Sequence, residues 1–262
     1  MNWLFYVILG FIILSVFLGG RRGFFKTAIS MLFMILVLVL SSLLNPYVGR
    51  FMRENTPVYE TIRARTEEVM MSHFEKEVAE ELTEEEKGKL AELGISEDMI
   101  KAEMKKHDVP KDMQTQILEK LPLPNIFRES IIHNNKVGIY ELLGVEKFAD
   151  YVASYIAYSI TNGIAFLLSF VLAIIIIKVV LYAINILTSI PGVSFLNSVG
   201  GMLLGGAQAI LWVWVFFIVV TVLCSTAFGR TLMDAIEGDM LLNYLYEKNV
   251  FLPVIMQIMG RN

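Results

Sequence analysis

The chain is 262 residues long and 55% hydrophobic, with a mean hydropathy of +0.59 and a net charge of −4. Soluble domains are usually about 45–50% apolar, so the excess argues against a water-soluble globule and for lipid as the solvent. Residues 45–150 hold 15 Lys/Arg and 22 Asp/Glu, net −7, leaving seven basic and four acidic residues elsewhere. An acidic insert between two apolar blocks argues against nucleic acid as a partner, because neutralising phosphates needs a basic patch. The single cysteine, Cys224, rules out an intramolecular disulfide.

A bilayer core about 30 Å thick is crossed by roughly 17–25 helical residues. Residues 3–20 and 27–44 each meet that length and form a helical hairpin, residues 1–44, around the block Arg21-Arg22-Gly23-Phe24-Phe25-Lys26. No basic residue precedes Trp3 and the charges follow Leu18, the reverse of a secretory signal, so a retained helix is expected. Short loops rich in Lys and Arg stay in the cytoplasm, whereas long loops cross largely regardless of charge. The turn is therefore expected inside, and the N-terminus and residues 45–150 outside.

The insert, residues 45–150, reads as helical. Val58, Ile62, Val69, Phe74, Val78 and Leu82 fall mostly on one face at helical spacing. Thr83 and Glu86 resemble a capping box, with Gly94 as a stop. Ser96 can cap a helix through Lys106, and Pro110 opens another. Leu121-Pro122-Leu123-Pro124 then breaks the chain. Tyr151, Tyr155 and Tyr158 share a face of the amphipathic stretch that follows, about Val145 to Tyr158. Because tyrosine favours the water–lipid boundary, they are expected to mark the membrane entrance.

A second transmembrane pair is expected within residues 151–227, with spans at 160–182 and 199–227. Pro191 and Gly192 break the chain between them, and Asn197 or Ser198 can cap the fourth span. In that span Gly201, Gly205 and Ala209 recur every four residues, a pattern that lets helix backbones approach closely. Packing against the first hairpin is the favoured use of this face; a homo-oligomer contact is the alternative. The tail, residues 228–262, lacks the positive excess expected of a cytoplasmic segment. Its final apolar stretch, Val250 to Met259, is too short to span, so it is expected at the interface or docked on the bundle, with the C-terminus outside.

Few residues invite chemistry. Lys178 is the only charged residue inside the expected spans and is read as a lysine whose charge reaches the membrane surface along its apolar stem. The absence of acids from those spans disfavours ion-coupled transport. His73, His107 and His133 lie far apart in the insert, at no metal-ligand spacing. Neither a phosphate-binding glycine loop nor a nucleophile elbow occurs. No cofactor and no enzymatic activity are expected.

An apolar helix, then Arg22-Gly23-Phe24, then a second apolar helix resembles the colicin V production protein family. So does the later Pro/Gly turn followed by Asn197 and the run Gly200-Gly201-Met202-Leu203-Leu204-Gly205-Gly206. Three positions depart from the family pattern: Asn2 where an acid is common, Ser198 where an arginine often stands, and Gln208 at another basic position. The resemblance implies a multi-pass inner-membrane protein linked to toxin production or export and to envelope functions. The expectation is an all-α membrane protein of four transmembrane helices, with a helical extracytoplasmic insert between the second and third. Its partners would be the lipid bilayer and an unidentified envelope or secretion protein. A small oligomeric channel or transporter subunit is the alternative function.

Overall fold

The computed structural model describes residues 2–81, 114–115, 118–119, 121, 123–184 and 195–257. Every regular element among them is helical. They are α1 (Trp3–Arg22), α2 (Phe24–Asn55), α3 (Val58–Glu81), α4 (Asn125–His133), α5 (Val137–Leu143), α6 (Phe148–Ile184), α7 (Phe195–Leu223), α8 (Ala227–Glu237), α9 (Met240–Glu247) and α10 (Leu252–Met256). Among the described residues four helices are long and apolar enough to cross a membrane, over Trp3–Arg22, Phe24–Asn55, Phe148–Val180 and Asn197–Leu223. The features expected at Thr83, Glu86, Gly94, Ser96, Lys106, Pro110, Pro191 and Gly192 lie outside the described residues.

The described residues divide into two compact units, one within residues 2–56 and 160–257, the other within residues 57–159. In the first, α1 packs along α7, and both expose much of their apolar surface. On α1, Val7, Ile13, Leu14 and Phe17 are more than half exposed, while Leu4, Ile8, Gly19 and Gly20 are buried. Water would penalise that outward apolar face, whereas lipid does not, so the contacts between these helices must come from packing and hydrogen bonds.

The helix α2 continues past Leu44, where the sequence reading ended the span, to Asn55, with Pro46 inside it. A proline mid-helix removes one backbone donor and is tolerated in membrane helices when nearby groups take up the freed carbonyl. Just before Pro46, the hydroxyls of Ser41 and Ser42 donate to the carbonyls of Val37 and Leu38 (2.5 and 3.0 Å), so both side chains are satisfied within the helix. The fourth long helix ends at Leu223, short of Ala227, because Thr226 leaves helical geometry and caps α8 by accepting from the Gly229 N–H.

The tail docks. Leu232, Met233 and Ile236 of α8, Leu242 and Tyr246 of α9, and Ile255 of α10 are buried. Asn249 donates to the Trp214 carbonyl (3.0 Å) and the Trp214 indole donates to the Leu245 carbonyl (3.0 Å), a reciprocal tie between tail and α7. Phe251 packs between the rings of Phe166 and Trp214, and the Tyr246 and Thr221 hydroxyls share a hydrogen bond of 2.9 Å.

The second unit corrects the reading of the tyrosines. Tyr151 and Tyr155 are fully buried and form core rather than a belt at a lipid boundary. The Tyr151 ring stacks on Tyr140 at 4.5 Å and its hydroxyl donates to the Ile131 carbonyl (2.8 Å), while Asn134 donates to the Tyr155 hydroxyl (3.0 Å). Once the hydroxyl has a protein partner, a tyrosine ring gains more by full burial than by staying at a wet interface. On α3, Val58 and Ile62 of the expected apolar face are half-buried, whereas Val69 is exposed and its neighbour Met70 is buried.

Cys224 offers a direct test of this packing. It is buried, and desolvation outweighs the nearby Arg230 charge to push its thiol up to about 12. At pH 8 the folded protein would hold about a thousandfold less thiolate than a free cysteine. Maleimide labelling should therefore be very slow until the chain is denatured, and should quicken in the folded protein only as the pH nears the raised value. Prompt labelling of folded protein at pH 8 would contradict the packing.

Candidate functional site

Of the residues singled out in the sequence, Gly23, Phe24, Asn197 and Gly201 come together at one end of the α1–α7 pair. Gly23 joins α1 to α2 with φ +81°, a left-handed conformation that side chains rarely adopt, and its N–H closes α1 on the Gly19 carbonyl (2.9 Å). A Cβ there would also collide with the Asn197 side-chain amide. Asn197 is not a cap for its own helix. The α7 helix already begins at Phe195, and Asn197 Oδ1 instead accepts the Phe24 N–H at 2.7 Å. The first N–H groups of any helix lack internal partners, so Asn197 caps α2 from across the bundle. Beside it, the Ser198 hydroxyl donates to the Gly20 carbonyl (3.1 Å), and Thr27 donates to the Gly19 carbonyl (3.3 Å).

Backbone meets backbone at the glycines. A Cβ on Gly19 would strike the Gly201 carbonyl oxygen, and one on Gly201 would strike the Gly19 carbonyl. A Cβ on Gly205 would lie 2.5 Å from the Ser15 carbonyl oxygen. Gly201 and Gly205 thus face α1, where Ser15 and Gly19 form the complementary stripe, and Ala209, one turn farther along α7, is buried. The α1 half of this contact was not singled out in the sequence. Ser15 and Gly19 are themselves four residues apart, the same signal as on α7, but Gly19-Gly20 beside two arginines reads as a helix end. Farther along, an apolar cleft of about 460 Å³ opens between Val7, Ile8 and Phe11 of α1 and Trp212 and Phe216 of α7.

Each departure from the family pattern is a hydrogen-bonding residue here. Asn2 accepts the Leu4 N–H as the cap of α1 and donates to the Ala235 carbonyl of α8. Ser198 ties to Gly20, and Gln208 donates to the Ser30 hydroxyl on α2 (3.0 Å).

Arg21, Arg22 and Lys26 are exposed at the turn, and Arg21 lies over the Phe17 ring, 5.8 Å from its centroid. Lys178 is exposed on α6, which continues beyond it to Ile184. A second polar group was missed. The Arg53 guanidinium donates to Asn162 Oδ1 (2.6 Å), and the Asn162 amide reaches the Ile255 carbonyl at 3.5 Å, linking α2, α6 and α10. Ending the second span at Leu44 removed Arg53 from consideration. Nearby on these helices, Asn45 Oδ1 and Ser169 Oγ are buried without a hydrogen-bond partner. Among the described residues, no three His, Cys, Asp or Glu side chains come together in a way that could hold a metal ion.

Residues 142–247 match the family model described as Colicin V production protein. The match supports the family assignment. It covers Lys178, Pro191, Gly192, Asn197, Gly201, Gly205 and Ala209, and it lies downstream of the Arg21–Lys26 turn. No curated protein and no solved structure matches the chain. With four long apolar helices among the described residues, the chain is a multi-pass membrane protein that is similar to the colicin V production proteins over residues 142–247.

The crossing predicts a graded response. Gly205→Leu should lower stability by about 1–3 kcal/mol or more, as overpacking does, and Asn197→Ala by about 0.5–2 kcal/mol, as for a lost cap. Gly10 has no atom within 4 Å of where a Cβ would sit, so Gly10→Ala should be neutral or gain up to about 1 kcal/mol of helix propensity. Thermal unfolding in detergent should rank the variants in that order. Equal effects at Gly10 and Gly205 would refute the crossing.

Proposed function

We propose that the protein is a non-enzymatic accessory or scaffold of the membrane, acting in toxin production or export and in cell-envelope processes. The observation that supports this most is the use of the motif residues: Gly23, Asn197, Gly201 and Gly205 are occupied in locking α1, α2 and α7 together. A rigid helical frame of this kind suits the holding of a partner better than the turnover of a substrate. The family match supports the same reading.

In this reading the Arg21–Lys26 turn faces the cytoplasm, and the N-terminus, the acidic insert and the C-terminal tail lie outside in the cell membrane. The basic turn supports that orientation. The bond from Asn2 to Ala235 supports both termini sharing one side, since it ties the start of α1 to α8. The acidic insert then becomes the part offered to an envelope or secretion protein. A reporter fused within residues 45–150 should be active only outside the cytoplasm, and cross-linking from the insert in intact cells should capture one recurrent envelope protein. A cytoplasmic reporter would reverse the orientation, and a cross-linking pattern no different from an unrelated membrane protein would remove the scaffold role.

A second reading, a channel or transporter subunit, is favoured by the buried, unpartnered Asn45 Oδ1 and Ser169 Oγ, because polar atoms inside a membrane protein often mark a pathway. Protein reconstituted in vesicles that stays monomeric and passes no ions would dismiss it.

A further inference from the structure

The turn between α1 and α2 carries three exposed cations, Arg21, Arg22 and Lys26, that form no ion pair with another described residue. The sequence makes the imbalance wider. No Asp or Glu occurs in residues 1–53 or 151–233, so neither the turn nor the start of α7 beside it brings a counter-charge. Three like charges within six residues repel one another, and an external anion relieves that repulsion.

The surroundings narrow the kind of anion. Phe17, Phe24 and Phe25 are 56%, 41% and 55% exposed around the cations. In water these rings would be a liability. At the boundary of a bilayer they enter the acyl region while the charges stay at headgroup level. The turn is also held in place before any lipid arrives, by the Gly23 conformation and the Asn197–Phe24 bond, so little ordering remains to be done on binding.

We infer that the turn is a binding site for the phosphodiester headgroup of an anionic phospholipid, with Arg21, Arg22 and Lys26 on the headgroup and Phe17, Phe24 and Phe25 among its chains. Arginine suits this role through paired N–H donors that match phosphate oxygens. The inference rests on the membrane reading alone, independent of the scaffold role and of which side the turn faces. Topology accounts for positive charge at this loop but sets no preference between headgroups, and that preference is what can be measured.

The full chain in nanodiscs of phosphatidylcholine is titrated with fluorescent phosphatidylglycerol or labelled phosphatidylcholine. Each basic residue near an anionic surface contributes roughly a fivefold change in affinity, so phosphatidylglycerol should be preferred on the order of a hundredfold. The preference should weaken with salt and vanish in the variant R21Q/R22Q/K26Q. Inorganic phosphate at equal concentration should not displace the lipid. Protection of Cys224 from maleimide reports whether that variant is folded; if it is not, R22Q and K26Q are measured singly and each should lose about fivefold. Equal binding of the two lipids, undiminished preference in the folded variants, or displacement by inorganic phosphate, which would indicate a soluble-anion site, would overturn the inference. None of these outcomes depends on finding a protein partner.

Discussion

The first unit depends on the crossing of α1 and α7 at Gly19, Gly201 and Gly205, where carbonyl oxygens of one helix stand where side chains of the other would begin. Two apolar helices in lipid gain nothing from the hydrophobic effect by coming together, since the alkyl chains they leave are as apolar as the residues they meet. Close backbone approach supplies dispersion over a continuous surface instead. It also brings polar side chains within reach of backbone groups that a wider spacing would leave apart. The Ser198–Gly20 and Asn197–Phe24 bonds exist because the helices are already this close. The hairpin turn is in turn fixed by them, so the geometry of Arg21, Arg22 and Lys26 follows from the glycines.

The same logic explains how the tail is held. Trp214 presents both an indole donor and a backbone carbonyl to it, and Asn249 and Leu245 satisfy the two together. Tyr246 is buried, which raises its phenol well above the ordinary value, and the Thr221 hydroxyl gives its polar atom a partner. Polar groups on the tail are thus used as fixings inside an apolar contact. Charge remains at its edge, where Lys248 lies over the Tyr244 ring.

The sequence displayed what depends on local spacing and concealed what depends on pairing. Four apolar runs, the basic turn and the four-residue glycine interval on α7 are one-dimensional patterns and could be read directly. The partner stripe on α1 has the same interval, but beside Arg21 and Arg22 it looks like a terminus. Asn197 has the composition of a cap and does act as one, yet the helix it caps begins 173 residues away in the chain, and no local rule selects α2 over α7. Tyr151 and Tyr155 recur at a spacing that suits an interfacial belt and a packed core equally; the hydroxyl partners at Ile131 and Asn134 decide for the core.

Arg53 shows why the limits of a span matter more than its composition. Pro46 argues for a helix end under the rules of soluble proteins, yet α2 continues through it and delivers a guanidinium to Asn162 of α6. Asn162 in turn contacts α10, so one side chain joins the first hairpin, the third long helix and the tail. Replacing a charge that is half-buried and hydrogen-bonded in this way leaves the partner amide unsatisfied, which is costlier than removing an exposed ion pair. The exposed cations at the turn carry no such internal obligation. Arg53 is therefore committed to holding the helices, whereas Arg21, Arg22 and Lys26 are left available to what lies outside the protein.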